Sequence, residues 1–291
     1  MNTIASVRLW AMQKFKEARV ESPVLAADLL IGHVLGRSRT AVLAHSEKII
    51  DEDEFAGIQR LVERRIKGEP YHYITGEKEF YGLAFNVTPD VLIPRPETEI
   101  LVEKALELIG GGLSPSSRFA DVGTGSGCIA VAVAHARPAS VGYAVDISAA
   151  ALAVARENAR RHNVSGRVIM VRADLLECFP CRPCLNLIIS NPPYINWGDY
   201  NDLSVEVREH EPRLALLSGP SGYEIYRRLI PGSAERLVSG GYLLLELGAG
   251  QAEHVEGLVR KEGFTIEATM KDLQGIPRCI VGRKPAGRYN G

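Results

Sequence analysis

The chain has 291 residues, of which 46% are hydrophobic, so it can bury the core of one large domain or of a large and a small one. Its 34 basic residues nearly balance 35 acidic ones, which excludes a strong overall attraction to the phosphate backbone of nucleic acids. The most apolar stretch, residues 128–145, is interrupted by His135, Arg137 and Pro138 and predicts no membrane span. We expect a soluble protein.

The N-terminal region lacks the uninterrupted apolar core of a signal peptide, and Glu17 and Glu21 argue against a transit peptide. We therefore expect a cytoplasmic location. Apolar residues then recur at helical spacing from residue 3 to about residue 68. Ser22-Pro23 is typical of a helix start, Gly36 of a helix end, and Asp51 of a second start. A small helical domain over residues 1–75 is predicted.

Residues 76–95 change to short runs rich in aromatic and β-branched residues, with Gly82 between them and Pro89 after them. This pattern predicts a connecting β-hairpin, with strands at Glu79–Tyr81 and Phe85–Val87. Pro96 then begins a helix that runs to about Ile109.

Strands and helices alternate after residue 118 and indicate an α/β, Rossmann-like domain over residues 96–291. Seven apolar strands are recognisable, and the helices between most of them predict a mainly parallel sheet covered on both faces. The last two strands have no helix between them. We expect them to pair antiparallel at one edge.

The segment Asp121-Val122-Gly123-Thr124-Gly125-Ser126-Gly127 follows the first of these strands and opens a helix. Open α/β sheets bind nucleotide-like ligands at this position, and the glycines let the turn pass close to the ligand. The acidic Asp121 suits a positively charged amino acid moiety better than a pyrophosphate. The loop therefore favours S-adenosylmethionine over NAD.

Acidic residues also end the next two strands. Asp146 can accept hydrogen bonds from both ribose hydroxyls, although a dehydrogenase also has an acid at this position. Asp174 and Leu175 offer a carboxylate and an apolar side chain for the edge and the face of an adenine. The alternative is that Asp174 only caps the following turn.

The fourth strand runs directly into Asn191-Pro192-Pro193-Tyr194. The Asn191 side-chain oxygen and the carbonyl after Pro192 can hold both hydrogens of one NH2 group, and Tyr194 offers a ring face for a planar substrate. Such a grip suits methylation of an amide or an aromatic amine, whose nitrogen is a poor nucleophile. A proline-rich turn with no chemical role is the alternative, which the order of the preceding motifs disfavours.

Three cysteines, Cys178, Cys181 and Cys184, have metal-like spacing within one segment. A zinc site needs further ligands at suitable spacing, and neither Cys128, Cys279 nor the scattered histidines provide them. We expect no bound metal and interpret this segment as a surface loop.

The sequence closely resembles the release factor glutamine methyltransferases, the PrmC/HemK family, over nearly its whole length. The resemblance rests on DVGTGSGCIA and NPPYI and on further matching segments elsewhere in the chain. These further segments are GEPYHYITGEKEFYG at residues 68–82, IPRPETEILVE at 93–103, Glu211-Pro212, GYEIYRRLI at 222–230, LLLELG at 243–248 and DLQGIPR at 272–278.

The resemblance implies methylation of the side-chain amide of the glutamine in the Gly-Gly-Gln motif of peptide chain release factors, with S-adenosylhomocysteine as the product. It implies cofactor contacts at Gly123 to Gly127, Asp146, Asp174-Leu175 and Asn191, and glutamine contacts at Asn191 to Tyr194. The helical domain becomes a docking module, and we expect a monomer. The sequence departs from the family pattern at two places. Leu175 occupies a position where the family often has an aromatic residue, and the loop Ser218–Gly222 lacks the acidic residues that the family often carries in it.

Two other functions compete with this interpretation. A DNA adenine or RNA exocyclic-amine methyltransferase would use the same NPPY grip, on a flipped base in the case of DNA. The near-neutral charge and the small non-catalytic region disfavour it. A non-catalytic module that only binds S-adenosylmethionine is disfavoured by the intact Asp146 and Asn191.

Overall fold

The structure is a computed structural model and describes residues 2–286. The chain divides into two units according to its internal contacts. The helical unit comprises Met1–Glu77 and Ser204–His210, and the sheet unit comprises Lys78–Leu203 and Glu211–Gly291. The sequence did not indicate that residues 204–210 join the N-terminal helices.

The helical unit consists of five helices and a two-stranded antiparallel pair within residues 2–77, followed by the helix at 205–210. The elements before residue 77 are β1 (Asn2–Thr3), α1 (Ile4–Glu17), α2 (Pro23–Leu35), α3 (Arg39–Ala44), β2 (Ile49–Ile50), α4 (Glu52–Ile66) and α5 (Tyr71–Thr75). Their apolar faces enclose one core that includes Phe15, Leu30, Ile31 and Ile58, all fully buried.

The ends of these helices follow from local chemistry. Asp51 begins α4 as predicted, because its carboxylate accepts the backbone N–H of Glu54 while the Glu54 side chain accepts the N–H of Asp51. Gly36 ends α2 in the left-handed conformation. Ser22 precedes α2, but its side chain makes no capping hydrogen bond, because its own backbone is left-handed rather than extended.

A buried carboxylate ties three of these helices together. Asp28 in α2 is fully buried and accepts hydrogen bonds from Arg8 in α1 and from Arg39 Nε in α3, the latter at 3.1 Å. A buried charge without its partners is strongly destabilising. The two arginines therefore hold α1 and α3 against α2.

The sheet unit opens with the predicted hairpin, and a 3₁₀ turn at Pro96–Thr98 precedes its first helix. Its first elements are β3 (Glu77–Phe80), β4 (Leu83–Asn86), α6 (Glu99–Gly111), β5 (Arg118–Val122), α7 (Cys128–Ala136), β6 (Val141–Asp146), α8 (Ala149–Arg161), β7 (Val168–Arg172) and β8 (Leu185–Ser190). Tyr81 and Gly82, which join β3 to β4, both have positive φ values, 51° and 71°. Such a pair matches the twist of a two-residue hairpin.

The remaining elements alternate less regularly, with three short helices in succession after β9 and two successive strands at the end. They are β9 (Ile195–Asn196), α9 (Trp197–Tyr200), α10 (Val205–His210, in the helical unit), α11 (Arg213–Leu216), β10 (Leu217–Gly219), α12 (Glu224–Arg236), β11 (Leu237–Glu246), α13 (Ala252–Lys261), β12 (Thr265–Lys271) and β13 (Pro277–Arg283). The short β9 and β10 pair parallel to each other.

The main sheet has seven strands in the order β12-β13-β11-β8-β5-β6-β7, which confirms the predicted fold. The pairs from β11 to β7 are parallel, whereas β13 runs antiparallel to both β11 and β12. The predicted antiparallel pair therefore lies at one edge, with β13 inserted inside β12. Strand order reverses beside β5, because β6 lies on one side of it and β8 on the other.

Helices cover both faces of this sheet, as the alternation predicts. On one face Phe119 of β5 and Leu187 of β8 pack with α6 and α7. On the other face Val122 and Ile188 pack with α12 and α13. Among the helices of residues 2–286, none is long and apolar enough to cross a membrane.

Gly142 in β6 packs closely against the ring of Phe119 in the neighbouring strand β5. A Cβ at this position would lie 2.5 Å from the ring of Phe119, which is fully buried and has little room to move. We expect Gly142→Ala to lower the free energy of unfolding by about 1–3 kcal/mol through overpacking.

Urea denaturation of this variant beside Gly166→Ala measures the effect. Gly166 is exposed, has no neighbour within 4 Å of such a Cβ, and its backbone conformation is not left-handed, so its replacement serves as the control. Equal unfolding midpoints for the two variants would contradict the packing argument.

Candidate functional site

A cavity of about 260 Å³ opens at the carboxyl ends of the parallel strands, in the sheet unit. Open α/β sheets form such a crevice where the strand order reverses. Nine of the thirteen residues predicted for the site line it. These nine are Gly123, Thr124, Gly125, Ser126, Asp146, Asp174, Leu175, Asn191 and Pro193. Asp121, Gly127, Pro192 and Tyr194 lie outside its lining.

The glycine loop after β5 is held against the end of β6. The backbone N–H groups of Gly123 and Thr124 both donate to the carbonyl of Val145, at 2.9 and 3.0 Å. Gly123, Gly125 and Gly127 have φ values of 74°, 54° and 78°, which favour glycine. Gly127 has a packing role as well, because a Cβ there would lie 3.0 Å from the Cβ of Ala155.

Asp121 lies beneath the loop and is fully buried. Its Oδ2 accepts hydrogen bonds from the Thr124 hydroxyl at 2.6 Å and from the Ala130 N–H at 3.1 Å. Its Oδ1 is buried and has no hydrogen-bond partner among the described residues. Burial raises the pKa of Asp121 to about 7, against the opposing effect of its two hydrogen bonds. The carboxylate thus holds the loop through one oxygen, while its other oxygen is buried without a hydrogen bond from the described residues.

Asp146 at the end of β6 lines the cavity beside this loop. Its Oδ2 accepts the N–H of Gly125 and its Oδ1 accepts the N–H of Ser148, both at 2.9 Å. Because each carboxylate oxygen has a second lone pair, both can still accept from a ligand. The two backbone bonds fix the orientation of the carboxylate.

Asp174 and Leu175 follow β7 and line the cavity as well. The Asp174 Oδ2 accepts a hydrogen bond from Arg228 Nη2 at 2.6 Å, an ion pair that the sequence did not indicate. Leu175 has a φ of 50°, an unusual conformation for a residue with a branched side chain. Arg228 in α12 itself lines the cavity and is an additional candidate residue.

The segment after β8 is anchored at both sides. The hydroxyl of Ser190 donates to the carbonyl of Val122 at 2.6 Å and ties the end of β8 to β5. Asn191 donates from its Nδ2 to the hydroxyl oxygen of Thr98 at 3.1 Å. Thr98 in turn donates to Oε2 of Glu246 at 2.6 Å. The amide oxygen of Asn191 is left free for a ligand by these contacts.

Tyr194 lies partly buried against the core between the sheet and α12. Burial raises its pKa to about 12, so the phenol stays neutral. Its carbonyl accepts a hydrogen bond from Gln251 Nε2 at 3.0 Å. Gly222 and Gly248 permit this arrangement, since a Cβ would lie 2.7 Å from the Tyr194 carbonyl oxygen at the first and 2.9 Å from its ring at the second.

Arg95 and Glu211 form another ion pair at the cavity. Arg95 lines the cavity and donates to Oε1 of Glu211 at 2.7 Å, while the N–H of Ile93 reaches Oε2 at 3.4 Å. Glu211 is 5% exposed. The only signal for this pair in the sequence was that both residues belong to segments that carry the family resemblance.

The cysteine segment lies away from the cavity lining. Cys178 and Cys181 are exposed and Cys184 is partly buried. The Sγ of Cys181 accepts a hydrogen bond from Arg236 at 3.3 Å. Within residues 2–286 no three His, Cys, Asp or Glu residues are arranged to hold a metal ion.

The seven-stranded mixed sheet, the glycine loop after β5 and the Asn-Pro-Pro-Tyr segment after β8 together define the chain as a methyltransferase. The fold agrees with a solved methyltransferase structure from Pyrococcus furiosus, at a TM-score of 0.52 and 17% identity, which covers 72% of this chain and 92% of that one. Residues 97–207 match the methyltransferase small domain family, and residues 6–76 match the PrmC N-terminal domain family.

Closer relatives specify the family. The release factor glutamine methyltransferase of Bradyrhizobium diazoefficiens is 41% identical, over 97% of this chain and 95% of the relative. The release factor glutamine methyltransferase of Bordetella pertussis is 43% identical, over 89% and 94%. The chain belongs to the release factor glutamine methyltransferase family, as its sequence motifs indicated.

Asp121→Asn tests the buried carboxylate. Because the pKa of Asp121 is about 7 in the folded chain and near 4 in an unfolded one, the folded chain binds the proton more tightly. The resulting stabilisation is present below about pH 4 and is lost as pH rises through 7. Between pH 5 and pH 8 we expect the free energy of unfolding to fall by about 2–3 kcal/mol more in the wild type than in the variant.

Urea denaturation at the two pH values measures this difference. Glu246 titrates in the same range in both proteins, so its contribution cancels. Asp202→Asn changes an exposed carboxylate and should retain the wild-type fall. An Asp121→Asn variant with that same fall would show that Asp121 is not the group responsible.

Proposed function

We propose that the chain transfers the methyl group of S-adenosylmethionine to the side-chain amide nitrogen of the glutamine in the Gly-Gly-Gln motif of peptide chain release factors. The observation that carries this proposal is the orientation of the Asn191 amide, whose oxygen is left free beside the glycine loop by the hydrogen bond from its nitrogen to Thr98. Membership of the family supplies the substrate.

The cavity residues suit the cofactor in three respects. Both Asp146 oxygens retain acceptor capacity for the two ribose hydroxyls. Leu175 offers an apolar side chain for an adenine face, though without ring stacking. Asp121, which lies beneath the loop and not in the cavity lining, adds negative charge near the ammonium group when it is ionised. When bound, S-adenosylmethionine supplies an electrophilic methyl group on a sulfonium.

The residues of the chain supply position and electrostatics. A glutamine amide nitrogen is a poor nucleophile because its lone pair is delocalised over the carbonyl group. Asn191 Oδ1 can accept one amide hydrogen, and the carbonyl of Pro192 can accept the other. These acceptors aim the nitrogen at the methyl group and stabilise positive charge that develops on it.

No residue of this segment needs to act as a base. The Tyr194 phenol keeps its proton, since its pKa is raised to about 12 by burial. The methylated nitrogen is strongly acidic while it carries the extra proton, so that proton can leave to water after the transfer. Asn191 and Pro192 then act by positioning the amide and by stabilising the charge that develops on it, with Pro193 and Tyr194 shaping the substrate side.

The domain assignment completes the proposal. Residues 1–75 form a module for docking the protein substrate, residues 76–95 form the connecting hairpin, and residues 96–291 form the catalytic domain. The chain acts as a monomer in the cytoplasm. Its S-adenosylhomocysteine product leaves from the same cavity.

Incubation with labelled S-adenosylmethionine tests the substrate. Unmodified release factor, a release factor with alanine in place of the motif glutamine, adenine-containing DNA and ribosomal RNA are offered separately. We expect label in the first protein only, because the others lack the accepted amide or the protein surface around it. Label confined to DNA or RNA would favour the exocyclic-amine alternative and overturn the proposal.

Asn191→Ala tests the grip on the amide. We expect kcat to fall by about 100-fold or more while cofactor affinity changes by less than about threefold, because the variant removes a contact made mainly in the transition state. Calorimetric titration with S-adenosylhomocysteine measures the affinity. Gln274→Ala alters an exposed amide in the turn between β12 and β13 and should behave as wild type. Wild-type turnover in Asn191→Ala would remove Asn191 from the mechanism.

A further inference from the structure

We propose that Thr98 and Glu246 are positioning residues that determine which end of the Asn191 amide faces the cavity. This inference rests on the proposed function, since it concerns the group that grips the substrate NH2. Neither residue was indicated by the motif chemistry of the sequence. They act through Asn191 and have no reacting atom of their own.

The three side chains form one continuous chain of hydrogen bonds. Asn191 Nδ2 donates to Thr98 Oγ1 at 3.1 Å, and Thr98 Oγ1 donates to Glu246 Oε2 at 2.6 Å. Thr98 is 2% exposed and Glu246 is also 2% exposed. Thr98 and Asn191 line the cavity, whereas Glu246 lies behind Thr98. The carboxylate is therefore one step removed from any substrate.

The direction of this chain follows from the acceptor at its end. An ionised carboxylate can only accept hydrogen bonds, so the Thr98 hydroxyl must donate its single proton to Glu246. The Thr98 oxygen can then only accept, and the Asn191 group that meets it must be the NH2 end. The amide oxygen consequently faces the cavity.

The opposite orientation of the Asn191 amide would prevent it from holding the substrate NH2 group. With its NH2 end towards the cavity, Asn191 would present donors to the NH2 group of a glutamine amide, which also donates. Rotation of an asparagine amide exchanges two groups of nearly equal size, so packing alone cannot select one of them. The hydrogen-bond chain provides the selection.

The groups around Glu246 determine its ionisation, and its ionisation determines how strongly it favours one orientation of the Asn191 amide. Burial, with a smaller contribution from Glu97, raises the pKa of Glu246 to about 7 against the lowering effects of Thr98, Arg278 and Arg95. Tyr194, Tyr226, Cys128 and Cys279 also interact electrostatically with it. A protonated Glu246 could donate to Thr98, and Thr98 could then donate to Asn191 instead. Ionisation of Glu246 therefore favours the productive orientation.

Thr98→Val is the main test, because it keeps the shape of the side chain and removes both hydrogen bonds. At saturating cofactor we expect kcat to fall about tenfold or more, with the KM for release factor and the affinity for S-adenosylhomocysteine within threefold of wild type. Thr98→Ser keeps the hydroxyl and should retain kcat within threefold. Thr265→Val, at the exposed start of β12, is the control for a threonine-to-valine change.

Glu246→Gln tests the far end of the chain. Its neutral amide can either accept or donate, so it no longer imposes a direction. The wild-type kcat should rise with pH through about 7, and that of the variant should be lower and should lack this rise. Asp121 titrates in the same range but lies at the glycine loop, so saturating cofactor separates its effect from that of Glu246.

Wild-type kcat in Thr98→Val, or an equal loss in Thr98→Ser and Thr98→Val, would overturn the inference. Should Thr98→Val fail to fold, as judged by circular dichroism, Thr98→Ala gives the same comparison without a buried methyl in place of the hydroxyl. If the wild type methylates another NH2 acceptor instead of release factor, the proposed function fails, and the same variants are then measured with that acceptor. The two failures are therefore distinguishable.

Discussion

The reversal of strand order beside β5 is the constraint on which the site depends. Because β6 and β8 lie on opposite sides of β5, the chain leaves the carboxyl ends of these strands in different directions and a crevice opens there. The glycine loop follows β5, Asp146 ends β6, and Asn191 follows β8. The order of the strands in the sheet is thus sufficient to bring three segments that are distant in sequence to one cavity.

Hydrogen bonds within the protein fix the orientation of the polar groups in this cavity. Backbone N–H groups orient Asp146, the end of β8 is tied to β5 through Ser190, and a threonine meets the nitrogen of Asn191. Side chains fixed in this way lose little further freedom when a ligand binds. Such preorganisation suits a reaction in which position rather than a strong nucleophile must lower the barrier.

Much of this arrangement could be predicted from sequence because it depends on order along the chain. Strands followed by helices imply a parallel sheet, and a motif at a strand end implies a place at one edge of that sheet. Thr98, Glu211 and Arg228 could not be predicted in the same way. Their roles depend on partners 93, 116 and 54 residues away, and no local pattern reports such a contact.

Local rules also failed where the backbone took an unusual conformation. Ser22 had the right residue type for a helix cap, but its positive φ removed the geometry that a cap needs. Leu175 occupies a left-handed position that its side chain would not predict. The absence of a helix between β12 and β13 predicts that these two strands pair antiparallel. It does not predict that β13 lies between β11 and β12, because that position depends on pairing across the sheet.

The contacts of Tyr194 have a consequence for how sequences of this family can change. Its backbone carbonyl meets Gly222 and the Gln251 amide, and its ring meets Gly248, so the loop before α12 and the loop between β11 and α13 both pack against one residue. A larger residue at either glycine would require a compensating change at Tyr194 or Gln251. Positions 194, 222, 248 and 251 should therefore change together during evolution. A homologue that has a different residue at one of these positions should also differ at the others.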